Sequence, residues 1–204
     1  MSTLSLRRCA TVAVALVACL LPHGSTQAAP DTENTATAVI EQDAGRSFDF
    51  AWDLHKYNGD ADVRHLNSAT ARARCVGCRA TAIAFQVVIA VGSPTTVAPV
   101  NLAEAINLEC TECVVVAEAR QFVRVVPDPV QLTDTGRAVL NDVRVDLAAL
   151  ETQDALPLDQ LHQAVEAQEA RVRQVLQDEL VLMSDPTTQT DVLASETLQD
   201  VELG

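Results

Sequence analysis

Four cysteines in two Cys-x-x-Cys pairs, Cys75-Val76-Gly77-Cys78 and Cys110-Thr111-Glu112-Cys113, carry the most evident chemistry in this 204-residue chain. Thiols at this spacing can close as disulfides, exchange as a dithiol, or join as four thiolates around zinc. Their flanks differ in sign. Arg72, Arg74 and Arg79 surround the first pair, whereas Glu109, Glu112 and Glu118 surround the second. Positive neighbours stabilise a thiolate, so a reactive thiol is expected at Cys75 or Cys78. The opposed charges should also draw the two motifs together.

Compartment weighs between these chemistries. Residues 1–28 have the layout of a secretory signal: Arg7 and Arg8, an uncharged apolar run from Ala10 to Leu21, then small residues Thr26 and Ala28 placed for cleavage. The alternative is a lipobox, Leu16-Val17-Ala18-Cys19, which would anchor the chain through a lipid on Cys19. Export meets an oxidising environment, where disulfides are the default. Local closure, Cys75–Cys78 and Cys110–Cys113, is favoured because residues three apart stay together whatever the fold does. It removes little chain entropy, about 2 kcal/mol each, against nearer 4 kcal/mol for links between the motifs, and those remain an alternative. Zinc fits less well, since 31 residues separate the motifs and export works against free thiolates. A thioredoxin-like role lacks the Trp before and the Pro inside the motif.

Other chemistry is thin. The histidines beyond the leader are His55, His65 and His162, and none belongs to a His-Glu-x-x-His motif. His162 is followed by Gln163, with Glu166 four residues along. His55 and His65 flank a turn holding Asp60 and Asp62, which reads as polar turn residues rather than a metal site. There is no Gly-rich phosphate loop and no Gly-x-Ser-x-Gly elbow. No cofactor is expected. Loss of the leader takes two arginines from 14 basic groups and leaves 12 against 28 acidic ones, a net charge of −16. Such a chain repels nucleic acid and anionic headgroups, and no second apolar stretch resembles a membrane span.

The elements that position the cysteines follow from periodicity. In SFDFAWDLH, Phe48, Phe50, Trp52 and Leu54 alternate, which predicts a strand with one buried face. TATAVIE (35–41) is its expected partner through the turn Asp43-Ala44-Gly45, and Asn58-Gly59-Asp60 reads as a further turn. The cysteine segments align on each other at an offset of 35: Ala82 with Ala117, Ala84 with Ala119, Gln86 with Gln121, Val88 with Val123, Val91 with Val126 and Pro94 with Pro129. Upstream, Asn67-x-Ala69-x-Ala71 matches Asn101-x-Ala103-x-Ala105 one residue out of step. The chain thus contains an internal repeat, 67–94 and 101–129. Matches at every second residue predict two antiparallel hairpins turning at Val76-Gly77 and Thr111-Glu112, with Gln86 and Gln121 related by a pseudo-twofold axis. Locally, NLAEAINLE and VVVAEARQFVRVV also suit helices.

Beyond Pro129 the period becomes helical. Leu140, Val143, Leu147 and Leu150 follow a Thr133 or Asp134 cap. Leu158, Leu161, Val165, Val172, Leu176 and Leu180 follow Pro157. Residues 34–182 are therefore expected to form a single α+β domain. Its strand-rich part (34–130) is a small antiparallel sheet carrying the two Cys-x-x-Cys hairpins, and 132–183 is an antiparallel helical hairpin. Residues 184–204, with five acids and no base, are expected to be a disordered tail.

The segments CVGCRATAIAFQ, TVAPVNLAEAINLEC and CVVVAEARQFV resemble an uncharacterised group of exported bacterial proteins with a doubled Cys-x-x-Cys. The resemblance covers roughly residues 34–182 and implies an N-terminal strand and a helical C-terminal half. Some members carry a peptide zinc metalloprotease label. This chain has no zinc-peptidase motif onto which catalytic residues could be carried, so the resemblance implies at most a module accessory to such a protease. The expected function is a secreted, non-catalytic binding or assembly module stiffened by disulfides. Its expected partner is another protein, or a second copy through the C-terminal helices. The alternative is thiol–disulfide exchange or zinc binding through the cysteines.

Overall fold

The computed structural model describes residues 32–60, 62–153 and 156–183. The leader (1–28), Cys19 and the tail (184–204) lie outside them. Six long strands come first: β1 Thr32–Ile40, β2 Arg46–Asn58, β3 Val63–Ala73, β4 Arg79–Val91, β5 Val97–Asn107 and β6 Val114–Val126. They alternate between two sheets, β1-β3-β5 and β2-β4-β6, and every neighbouring pair within a sheet is parallel. The chain therefore winds as a flattened solenoid of three coils, two strands to a coil.

This corrects the expected small antiparallel sheet. β3 and β4 do not pair as a hairpin, nor do β1 and β2 or β5 and β6. Each such pair is an arch that crosses from one sheet to the other. The physical reason lies in β4, where all thirteen residues but Arg79 are buried. A hairpin strand with one wet face has no place for ATAIAFQVVIAV, whereas a central parallel strand covered on both sides does. The helical alternative for the second copy also fails, since β5 and β6 are strands throughout.

The offset of 35 between the cysteine segments is the register of the second sheet. Ala82 pairs with Ala117, Ala84 with Ala119, Gln86 with Gln121 and Val91 with Val126, and on the other sheet Asn67 pairs with Asn101. The copies are related by translation along the solenoid, not by a twofold axis. A third copy precedes them, Asn34-x-Ala36-x-Ala38, paired with Asn67, Ala69 and Ala71. It carries no cysteines, which is why alignment on the cysteines passes it by.

Between the sheets the interior is alanine: Ala36, Ala38, Ala69, Ala71, Ala80, Ala82 and Ala84 are fully buried. So thin a filling brings the sheets close enough for side-chain amides on one to reach backbone carbonyls on the other. Asn34 donates to Asn67 Oδ1 (2.7 Å) and Phe85 O (2.9 Å). Asn67 donates to Asn101 Oδ1 (2.8 Å), Ala84 O and Arg120 O. A second row runs from Gln121 to Gln86 (2.6 Å) and from Gln86 to Asp53 (3.0 Å). Buried amides are thus satisfied coil by coil.

Two short strands, β7 Val130–Leu132 and β8 Leu180–Leu182, pair antiparallel and bracket two helices, α1 Asp134–Ala149 and α2 Leu158–Asp178. The helical pair matches the expectation. Thr133 caps α1, its hydroxyl accepting from Gly136 N at 2.9 Å. Gly136 has to be small there, because a Cβ would meet Glu179 Cβ at 2.7 Å. Leu140, Val143, Leu147, Leu161, Val165 and Val172 pack on Ile83, Phe85, Val87 and Phe122, so the helices cover the outer face of the β2-β4-β6 sheet. Phe48, Phe50 and Trp52 of β2 join that layer as expected, Trp52 stacked on Phe85, whereas Leu54 is exposed. The result is three layers: sheet, sheet and helices.

Candidate functional site at the stacked corners

Each coil turns from one sheet to the other through a short arch. The β3–β4 arch holds Cys75 and Cys78, and the β5–β6 arch holds Cys110 and Cys113. Register places Gln42 and Gly45 at the same positions of the first arch. All three corners bend through a residue with positive φ at the equivalent place: Ala44 (55°), Gly77 (63°) and Glu112 (59°). They also stack by the same bonds. Ala44 N donates to Val76 O and Gly77 N to Thr111 O, both at 2.8 Å. Below them Arg79 N meets Gly45 O (3.0 Å) and Val114 N meets Cys78 O (2.9 Å).

Within this frame the cysteines pair locally, Cys75–Cys78 and Cys110–Cys113, with Cα atoms 6.0 and 5.9 Å apart. The alternative of links between the motifs is not what forms. Stacking nevertheless brings the pairs into contact: Cys78 Sγ lies 3.2 Å from Cys113 Sγ and 3.8 Å from Cys110 Sγ. All four sulfurs fall within 4.8 Å of one another. Cys75 and Cys78 are buried, while Cys110 and Cys113 are half-exposed. Solvent access therefore favours the second pair as the point of attack, whereas the flanking charges had pointed to the first.

The flanking charges meet in part. Arg74 pairs with Glu109 at 3.0 Å, and Arg72 reaches Glu104 at 3.7 Å, both exposed. Arg79 turns away to donate to Leu156 O (2.6 Å), and burial together with Arg46 lowers its pKa. Glu118 meets Arg120 of its own strand (2.8 Å) and His162 Nδ1 on α2 (2.6 Å). Arg120 also bonds Glu169 at 2.8 Å, and Glu169 holds Arg173 at 2.6 Å. Burial opposes ionisation of Glu169, but the Arg173 hydrogen bond and the charge and hydrogen bond of Arg120 outweigh it and hold the carboxyl below its usual 4.5.

The remaining histidines are not gathered around one centre. His65 is buried, its ring against Tyr57 and 5.7 Å from His55, and it bonds the Thr32 hydroxyl. His162 is on α2, where it meets Glu118 instead. Sequence reading missed the inward placement of His55, Tyr57 and Asp53; their alternation along β2 carries that signal.

No family model, curated protein or solved structure matches this chain.

Proposed function

We propose that this chain is a non-catalytic, exported assembly module, a solenoid stiffened at two corners by disulfides that joins a second copy through its unfinished last coil. One observation carries the association. The inward row Asn34, Ala36, Ala38 is buried at β1, and its equivalent is buried at β3, but Asn101, Ala103 and Ala105 are exposed at β5. Val100 and Leu102 beside them are also exposed. The opposite end is finished differently: Asp49 accepts from Thr37 N on the edge strand β1 at 2.6 Å, a charge that discourages further pairing. A strand completing the open end has to bring small side chains and an amide into line with Asn101, and the exposed β5 of a second copy offers both. The helices are less suited to the contact, since their apolar faces are spent on the sheet.

Light scattering on the mature oxidised chain tests this. Dimers that fall to monomers in Ala103→Lys are expected. A wild type that stays monomeric at millimolar concentration would refute association. Intact mass after thiol alkylation tests the staples, and four alkylated cysteines in exported material would refute them.

A further inference from the structure

We infer that the four corner sulfurs have a second state: once reduced, Cys75, Cys78, Cys110 and Cys113 hold a single soft cation, with zinc as the probe. A tetrahedral thiolate site with metal–sulfur bonds of about 2.3 Å sets its sulfurs about 3.8 Å apart. Between the pairs that spacing is nearly present, with Cys78 at 3.2 Å from Cys113 and 3.8 Å from Cys110. Only the two bonded pairs have to open, and all four sulfurs already lie within 4.8 Å.

The frame survives that opening, because backbone bonds and not sulfurs hold the corners in register. The bridge between Val76 and Thr111, the Gly77 N to Thr111 O bond and the Val114 N to Cys78 O bond are independent of the disulfides. Both motifs bend through a positive-φ residue between their cysteines, Gly77 and Glu112, and the one extra residue of the second arch is taken up before Cys110, where Glu109 also has positive φ. The first corner offers Gln42 and Gly45 in place of cysteines, so the stack supplies the four thiolates of one closed site. The half-exposed Cys110 and Cys113 give the cation and the reductant a way in.

Each disulfide takes two electrons and two protons from a dithiol, which leaves as its own disulfide. The cation then displaces the thiol protons to solvent. Reoxidation runs the other way: each pair gives two electrons to a small disulfide, which takes two protons from solvent and leaves as two thiols, and the cation is released. The site is thus a redox-gated metal centre, separable from the open coil end.

Zinc titration of the full mature chain, reduced anaerobically with a non-chelating phosphine and desalted, tests it. One zinc per chain is expected for reduced protein and none for oxidised protein. Cobalt in its place should show the intense visible bands of tetrahedral thiolate coordination. Cys110→Ser, at the accessible pair, should weaken binding by more than the roughly 10–100-fold that loss of an outer-shell group costs. Circular dichroism of reduced, metal-free wild type keeps the test independent of variant folding. A folded reduced chain that binds well under one equivalent, binds equally when oxidised, or gives octahedral cobalt spectra would overturn the inference. A reduced chain that unfolds and does not refold on adding zinc would overturn it as well.

Discussion

The three corners share one bend. Ala44, Gly77 and Glu112 occupy the left-handed region at equivalent places, and glycine alone does so without strain. Glu112→Gly should stabilise the chain by about 1 kcal/mol, and Gly77→Ala should destabilise it by about 1–2 kcal/mol, both read by urea unfolding under oxidising conditions. The asparagine row invites a similar contrast. Asn67 is fully buried and bonds two carbonyls and both flanking asparagines, so Asn67→Ala should cost about 2–3 kcal/mol. Asn101 is exposed, water can replace its bonds, and Asn101→Ala should cost well under half as much. Equal effects at the two positions would contradict the burial difference.

At the scale of elements, spacing between the sheets depends on methyl-sized side chains. Ala82→Leu in β4 inserts a large side chain where Ala69 and Ala71 also pack, and should cost about 1–3 kcal/mol, more if the sheets are pried apart. Leu54→Ala, on an exposed part of β2, should change the thermal midpoint little. Much of this layer was legible in the sequence. The Asn67/Asn101 and Gln86/Gln121 matches are hydrogen-bonded neighbours, and the helical spacing from Leu140 to Leu176 marks the face that covers the sheet. Strand direction was not legible. Alternation along β3 fits a hairpin as well as a coil, and a bend after Cys75 looks the same whether the chain returns beside itself or crosses to another sheet. The nearly apolar run of β4, broken only by Thr81 and Gln86, was the signal that separates these, since only a strand covered on both faces tolerates it. The sulfur cluster was hidden for the same reason: 31 residues of intervening chain amount to one full coil, which returns the second motif to the side of the first.

At the scale of the whole molecule, the helical layer is tied to the solenoid by the Arg120–Glu169 ion pair and the Glu118–His162 contact, with Arg173 holding Glu169 from within α2. Glu169 has a folded-state pKa below its ordinary value, so its contribution is fully present above about pH 4.5 and is lost as pH falls through the lowered value. Glu169→Gln should therefore lower stability at pH 7 and narrow its gap from the wild type toward pH 3, measured by thermal unfolding across that range. A constant gap would remove the ion pair from the account.

The two buried amide rows run in opposite senses. Asparagine side chains hand their hydrogens from the first coil toward the last, while glutamines hand theirs from the last toward the aspartate of the first. A helix gathers its peptide dipoles into partial charges at its tips. Here the paired rows run antiparallel, so their amide dipoles oppose rather than reinforce each other along the stack, and the glutamine row ends on the Asp53 carboxylate at the first coil.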